Sequence, residues 1–148
     1  MSAGDSTRIL INTMSNITEA LPNERFMATM SRAVIAAGLD QVLSGTGPFT
    51  AFAPSDIAFG KLESNTFASL FKPENKVMLT DLLSHHIVSG NYEFKDLKEG
   101  TKLITLDGKE LTVAVNAGFV CLNGATVQNR DVPASNGVIH SLDKILKN

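Results

Sequence analysis

Apolar residues recur with a helical period through the first half of the chain and with an alternating period after Gly100. Between Thr7 and Leu21, the positions Leu10, Met14, Ile17 and Leu21 fall on one helical face, and Pro22 stops the pattern because it cannot continue the hydrogen-bond ladder. Asn23 is read as the cap of a second helix, in which Phe26, Met30, Val34 and Ala37 share a face and Gly38 supplies the left-handed terminus. Leu39, Val42 and Leu43 allow one further turn before the loop Ser44-Gly45-Thr46-Gly47-Pro48. Phe49 to Phe52 reads as a short strand ended by Pro54. Ser55 then caps a short helix carrying Ile57, Phe59 and Leu62, with Asp56 in its first turn. A longer helix starts near Pro73 and runs through Val77, Leu79, Leu82 and Leu83 towards His85 and His86, before Ser89-Gly90-Asn91 turns the chain.

The second half changes character. Leu103–Leu106, Leu111–Val115, Phe119–Leu122 and Ala125–Gln128 are short β-prone runs separated by Asp107-Gly108, Ala117-Gly118 and Asn123-Gly124. Those dipeptides suit tight hairpins, so the runs predict an antiparallel meander. A last run, Val138–Leu142, follows Asn136-Gly137. Helices followed by a meander make an α+β domain, without the βαβ alternation of a nucleotide-binding sheet.

Composition narrows the function classes. With 148 residues, 43% hydrophobic and 19% charged, the chain is long and apolar enough for one self-supporting core. A formal charge of −2 offers no basic field for a phosphate backbone, so nucleic acid is not an expected partner. One Cys and three His cannot build the Cys-rich sites of structural zinc, and no metal is expected. Polar residues interrupt every apolar run in the first twenty positions, which leaves no signal-peptide core and no membrane-inserting segment. Either a cytoplasmic protein or a mature segment behind an added Met1 fits that start.

Candidate chemistry is sparse. The chain has no Gly-x-Ser-x-Gly elbow and no phosphate loop, and Gly45-Thr46-Gly47-Pro48 lacks the third glycine of a dinucleotide fingerprint. Ser55 or Thr50 with His86 and Asp56 could supply a hydrolase nucleophile, base and orienter, although Ser55 has the simpler task of capping a helix. Of the adjacent His85 and His86, one is expected to be buried and the other exposed. The buried imidazole needs partners for its nitrogens, and Asp56 and Thr50 are the expected ones. Cys121 reads as a small hydrophobe, and Asn16-Ile17-Thr18 matches a glycosylation sequon that matters only in a secretory pathway.

Thr50-Ala51-Phe52-Ala53-Pro54-Ser55-Asp56-Ile57-Ala58-Phe59 and Asn136-Gly137-Val138-Ile139-His140-Ser141-Leu142-Asp143-Lys144-Ile145-Leu146 resemble the first and second boxes of the fasciclin-like (FAS1) domain family. Between them, Leu82-Leu83-Ser84-His85-His86-Ile87-Val88-Ser89-Gly90 stands where the family has a Tyr-His segment, with His85 in place of Tyr and His86 as the matching His. The resemblance implies one copy over residues 1–148, with a core from about residue 7 to residue 147. It implies a FAS1-like β-wedge or sandwich of antiparallel strands with helices packed on it. Thr50, Phe52, Pro54, Asp56, Phe59, His86, Asn136, Gly137 and His140 would be its structural motif residues.

The same resemblance implies a non-catalytic, extracellular, periplasmic or surface module, monomeric and without a cofactor, that takes part in cell adhesion by binding an integrin, a matrix protein or a polysaccharide. The family's animal matrix members carry Asn-Lys-Asp-Ile-Leu where this chain has Asn129-Arg130-Asp131-Val132-Pro133. Asp131 and Val132, with His85, are therefore the candidate binding residues. A carboxylate beside an aliphatic residue can complete the coordination of a receptor-bound divalent ion. The competing structural role for Asp131-Val132-Pro133 is a turn entering the last strand, with the carboxylate solvated. The alternative function is the small hydrolase using Ser55 or Thr50 with His86 and Asp56.

Overall fold

The structure, a computed structural model, describes residues 16–24, 27–45, 47–62, 64–128 and 130–146. Its helices are α1 (Ile17–Ala20), α2 (Ala28–Ala36), α3 (Asp56–Gly60), α4 (Ser64–Leu70) and α5 (Lys76–Ser84). Its strands are β1 (Phe49–Pro54), β2 (Ile87–Ser89), β3 (Lys102–Ile104), β4 (Glu110–Asn116), β5 (Phe119–Leu122), β6 (Ala125–Thr126), β7 (Val132–Ala134) and β8 (Gly137–Leu142). Leu10 and Met14 of the expected first helix, and Phe26 of the second, lie outside the described residues.

Asn16 starts α1 through a capping box. Its side chain accepts the Glu19 N–H at 2.9 Å and the Glu19 carboxylate accepts the Asn16 N–H at 3.0 Å. The sequon Asn is thus a helix cap. α2 begins at Ala28 rather than after Asn23, and Met27, at its cap position, makes no side-chain cap bond. The cap comes from elsewhere: Asp56 Oδ1 accepts the Thr29 N–H at 2.8 Å. α4 was not expected: five residues of Ser64-Asn65-Thr66-Phe67-Ala68-Ser69-Leu70 are weak helix formers, and the apolar pattern of Phe67, Leu70 and Phe71 is short. It packs through Phe67, whose ring lies 6.4 Å from Phe59 and 5.2 Å from Phe71. In α5, Leu79 and Leu83 face inward, while Val77 is 75% exposed.

Two four-stranded sheets form the β structure of the described residues, in the orders β2-β1-β8-β7 and β3-β4-β5-β6. The second is the meander the sequence predicts. Two of its three hairpin turns, Ala117-Gly118 and Asn123-Gly124, have positive φ at both residues, the conformation that two-residue hairpins favour, whereas at Asp107-Gly108 only the glycine does. In the first sheet β1 runs parallel to β8 over its whole length, from Phe49 opposite Gly137 to Pro54 opposite Leu142, and every other pairing is antiparallel. Gly137 is required there, since a Cβ at that position would collide with the Phe49 carbonyl oxygen. Bridges from Val88 to Thr105 and from Val127 to Leu142 join the sheets at two corners, closing the wedge.

Strand period divides the core. Ala51 and Ala53 of β1, with Ile87 and Ile139, face the helices together with Met30, Val34, Leu79 and Leu83. Phe52, Val88 and Leu142 face the second sheet and pack on Leu103, Leu111, Val113, Val120 and Leu122. The α+β wedge is the fold that the resemblance implied.

Candidate functional site

Most of the expected motif residues serve the fold, through hydrogen bonds or through packing. Thr50 Oγ1 donates to the Gly90 carbonyl at 2.7 Å and accepts the Tyr92 N–H at 2.8 Å. Ser55 Oγ accepts the Ala58 N–H at 3.2 Å as the α3 cap. Pro54 ends β1 and Phe59 is buried in the helix-side core. Asn136 is a buried three-way tie, its Oδ1 accepting the Ile17 N–H at 3.0 Å and its Nδ2 donating to the carbonyls of Leu43 and Gly45 at 2.6 and 2.8 Å. It therefore fastens the first helix, the loop before β1 and the start of β8 at a single point.

The adjacent histidines depart from expectation. Both are buried, His85 at 2% exposure and His86 at 0%: beyond the end of α5 at Ser84, His85 meets Asp107 of the β3–β4 turn and His86 meets Leu82 and Leu146. His86 Nδ1 donates to the Leu82 carbonyl at 2.8 Å and its Nε2 accepts the Leu146 N–H at 2.8 Å. Its partners are main-chain groups, not Asp56 and Thr50. Burial pushes the His86 pKa down to about 4; the Leu82 bond opposes the shift, His85 adds to it and Asp107 opposes it.

Neither ring nitrogen of His85 makes a hydrogen bond. Nδ1 lies 3.5 Å from Asp107 Oδ2, an ion-pair distance rather than a hydrogen bond. Burial pushes the Asp107 carboxyl up, but the Thr105 hydroxyl bonded to it and the electrostatic influence of His85 outweigh that and hold it below its ordinary value. His85, expected among the binding residues, presents no surface to a partner.

The hydrolase constellation does not assemble. Ser55, Thr50, Asp56 and His86 each spend their polar atoms on separate backbone partners, so no nucleophile–base hydrogen bond joins them.

Asp131 and Val132 do reach one surface, in a form the sequence did not foresee. Val132 opens β7, an edge strand whose Pro133 sits opposite Val138, and edge strands are where Pro is tolerated. Asp131 has φ +57°, and its main chain and side chain both act as ties. Its N–H donates to His140 Nδ1 at 3.1 Å, and Oδ1 accepts the Phe94 N–H at 2.8 Å. His140 in turn donates from Nε2 to the Tyr92 carbonyl at 2.8 Å and stacks on Phe52, with ring centroids 5.5 Å apart. Burial lowers the His140 pKa. The carboxylate expected to be merely solvated is thus held by one oxygen, and among the described residues Oδ2 has no hydrogen-bond partner.

Beside it, the Arg130 guanidinium lies 3.9 Å over the Phe94 ring. Phe94, Val120, Val127 and Gln128 line a groove of about 420 Å³ with Arg130 and Phe119, whose side chain is 62% exposed. Sequence reasoning singled out neither aromatic for binding. Phe119 carried a signal in its outward parity on β5, but Phe94 carried none, since its approach to residue 130 depends on tertiary packing.

A family model described as the fasciclin domain matches residues 26–148. The chain belongs to the fasciclin domain family. This fasciclin domain is 43% identical over 133 residues to protein sll1483 of Synechocystis sp., covering 90% of this chain and 73% of that protein. It is 39% identical over 134 residues to protein sll1735 of the same organism, covering 90% of this chain and 98% of the relative. Transforming growth factor-beta-induced protein ig-h3 of Sus scrofa is 34% identical over 141 residues, which are 94% of this chain but 20% of that protein. The fold matches the FAS1 domain pair of the insect cell adhesion molecule fasciclin I with a TM-score of 0.80 at 22% identity, over 90% of this chain and 51% of that one. Domains of this family thus occur in adhesion proteins. No helix among the described residues is long and apolar enough to cross a membrane.

Proposed function

We propose that this fasciclin domain is a single, monomeric, non-catalytic binding module of an extracellular, periplasmic or surface protein, which attaches to a protein or polysaccharide partner through the surface around Asp131. A cytoplasmic setting is the alternative location. The observation that carries the reading is the anchored carboxylate: Oδ1 is fixed by the Phe94 N–H while Oδ2 is left to accept from a partner or complete the shell of a partner's divalent ion. Val132 stands next to it as an aliphatic neighbour on the edge strand. An orientation fixed in advance lowers the entropy cost of recognition.

Asp131→Asn separates contact from structure. Asn tolerates the left-handed backbone and its carbonyl oxygen can still accept from Phe94, so the fold is retained while the charge is lost. Attachment of the folded domain to integrin-bearing cells, matrix proteins and acidic polysaccharides is measured with and without divalent ions. The reading expects attachment by the natural chain and loss of it in the variant at unchanged melting temperature. Equal attachment by both proteins refutes Asp131 as the contact, and attachment by neither to any of these partners refutes the module reading.

A further inference from the structure

The groove beside Asp131 has a definite chemistry. Its floor is apolar, built from Val120 and Val127, and its sides are the exposed ring of Phe119 and the Phe94 ring under Arg130. Stacking on Phe94 restrains the guanidinium, so less rotamer freedom remains to be lost when its donors are engaged. Among the described residues Arg130 forms no ion pair, and the salt bridges nearby belong to other residues, such as Lys95 with Glu93. A restrained, unpaired cation above an apolar floor complements an anion carried next to an apolar group.

The surroundings select among anions. Asp131, whose carboxylate accepts the Phe94 N–H, adjoins Arg130 at the groove of a chain whose formal charge is −2. Its repulsion disfavours a phosphate dianion against a single carboxylate. The preponderance of apolar lining favours an aliphatic or aromatic side chain over sugar hydroxyls, which would strip water from apolar walls without bonding to them.

We infer that the groove between Phe94 and Phe119 binds an exposed peptide segment of a protein partner in which an Asp or Glu carboxylate adjoins a large apolar side chain, Arg130 taking the carboxylate and Phe119 with Val120 and Val127 the apolar group. This inference rests on the binding-module reading and names the partner chemistry of the same surface. Gln128, at the groove edge, offers an amide to the peptide main chain.

The test is a two-dimensional NMR titration of the full chain with the blocked peptide Ser-Leu-Glu-Phe-Ser and its Glu-to-Gln counterpart. The expected result is saturable shifts of the Phe119, Val120, Gln128 and Arg130 amide signals, with the Gln peptide about tenfold weaker, a difference of about 1.4 kcal/mol. Arg130→Gln should abolish the preference between the two peptides while leaving the rest of the spectrum in place. Phe119→Ser should weaken both peptides. Equal binding of the two peptides by the natural chain, shifts that map to another face, or the same shifts produced by polygalacturonate and not by peptide would each overturn the inference. Peptide binding at the groove without attachment to any cell, matrix or polysaccharide would sink the module reading and leave the groove standing. Attachment that needs Asp131 but is indifferent to Arg130→Gln would do the reverse.

Discussion

Acid should weaken this fold through His86 before it weakens it through carboxylates. The neutral ring fits its site with both nitrogens used, Nδ1–H to the Leu82 carbonyl and Nε2 as acceptor for the Leu146 N–H. A second proton would sit on Nε2 and face the Leu146 N–H, donor against donor, in a site without water access. Burial accordingly holds the folded pKa at about 4 against 6.5 for the free side chain. Because the folded value is depressed, the unfolded chain takes up the proton first. The stabilisation is complete above pH 6.5 and is lost as pH falls from there towards 4. At 1.36 kcal/mol per unit, the loss is about 2 kcal/mol at pH 5 and levels off at about 3 kcal/mol. That is a large share of the 5 to 15 kcal/mol of a typical domain.

The assay is urea unfolding, followed by circular dichroism, of the natural chain and of His86→Leu at pH 7.5 and pH 5.0. Both pH values lie above the range in which Asp107 loses its charge. His140, whose pKa is also lowered by burial, remains in both proteins, so the double difference isolates His86. The variant should be less stable by about 2 kcal/mol at pH 7.5, because two buried main-chain groups lose their partner. At pH 5.0 the gap should nearly close. A gap that stays constant between the two pH values would refute the reasoning, as would a His86 ring titrating near 6.5 by NMR.

Asn136→Ala should cost about 3 to 4 kcal/mol, since it strands the Ile17 N–H and the carbonyls of Leu43 and Gly45 together; a loss below about 1 kcal/mol in denaturant unfolding would contradict its role as a tie. His85→Phe should be neutral or gain about 1 kcal/mol at pH 7.5, because it removes two buried nitrogens that make no hydrogen bond, and a melting temperature lowered by several degrees would show that the Asp107 contact matters more than the unpaired atoms.

Much of the fold was written locally. The meander of β3 to β6 is legible because alternation sets which face of each strand is buried, and turn residues at Ala117-Gly118 and Asn123-Gly124 fix how the strands are joined. The Ser55 cap and the inner face of α5 at Leu79 and Leu83 are legible for the same reason, since cap and helical period operate within a few residues. The two sequence boxes were likewise recognisable as strings of residues, and most of their members turn out to hold the fold.

What tertiary structure alone decided are the partners far apart in the chain. The parallel pairing of β1 with β8, the capping of α2 by Asp56 and the tie of Ile17 to Asn136 join residues 27 to 119 positions apart, and no local period encodes which distant group supplies a missing bond. The adjacent histidines show the limit most plainly. Period requires neighbours to point in different directions, but distant segments cover both directions here, Asp107 meeting His85 and Leu146 meeting His86, so both are buried. The same holds at the surface. The sequence marked Asp131 by its neighbours, but only packing brought Phe94 beneath Arg130 and fixed one oxygen of the carboxylate, because a groove is made by elements that meet in space rather than along the chain.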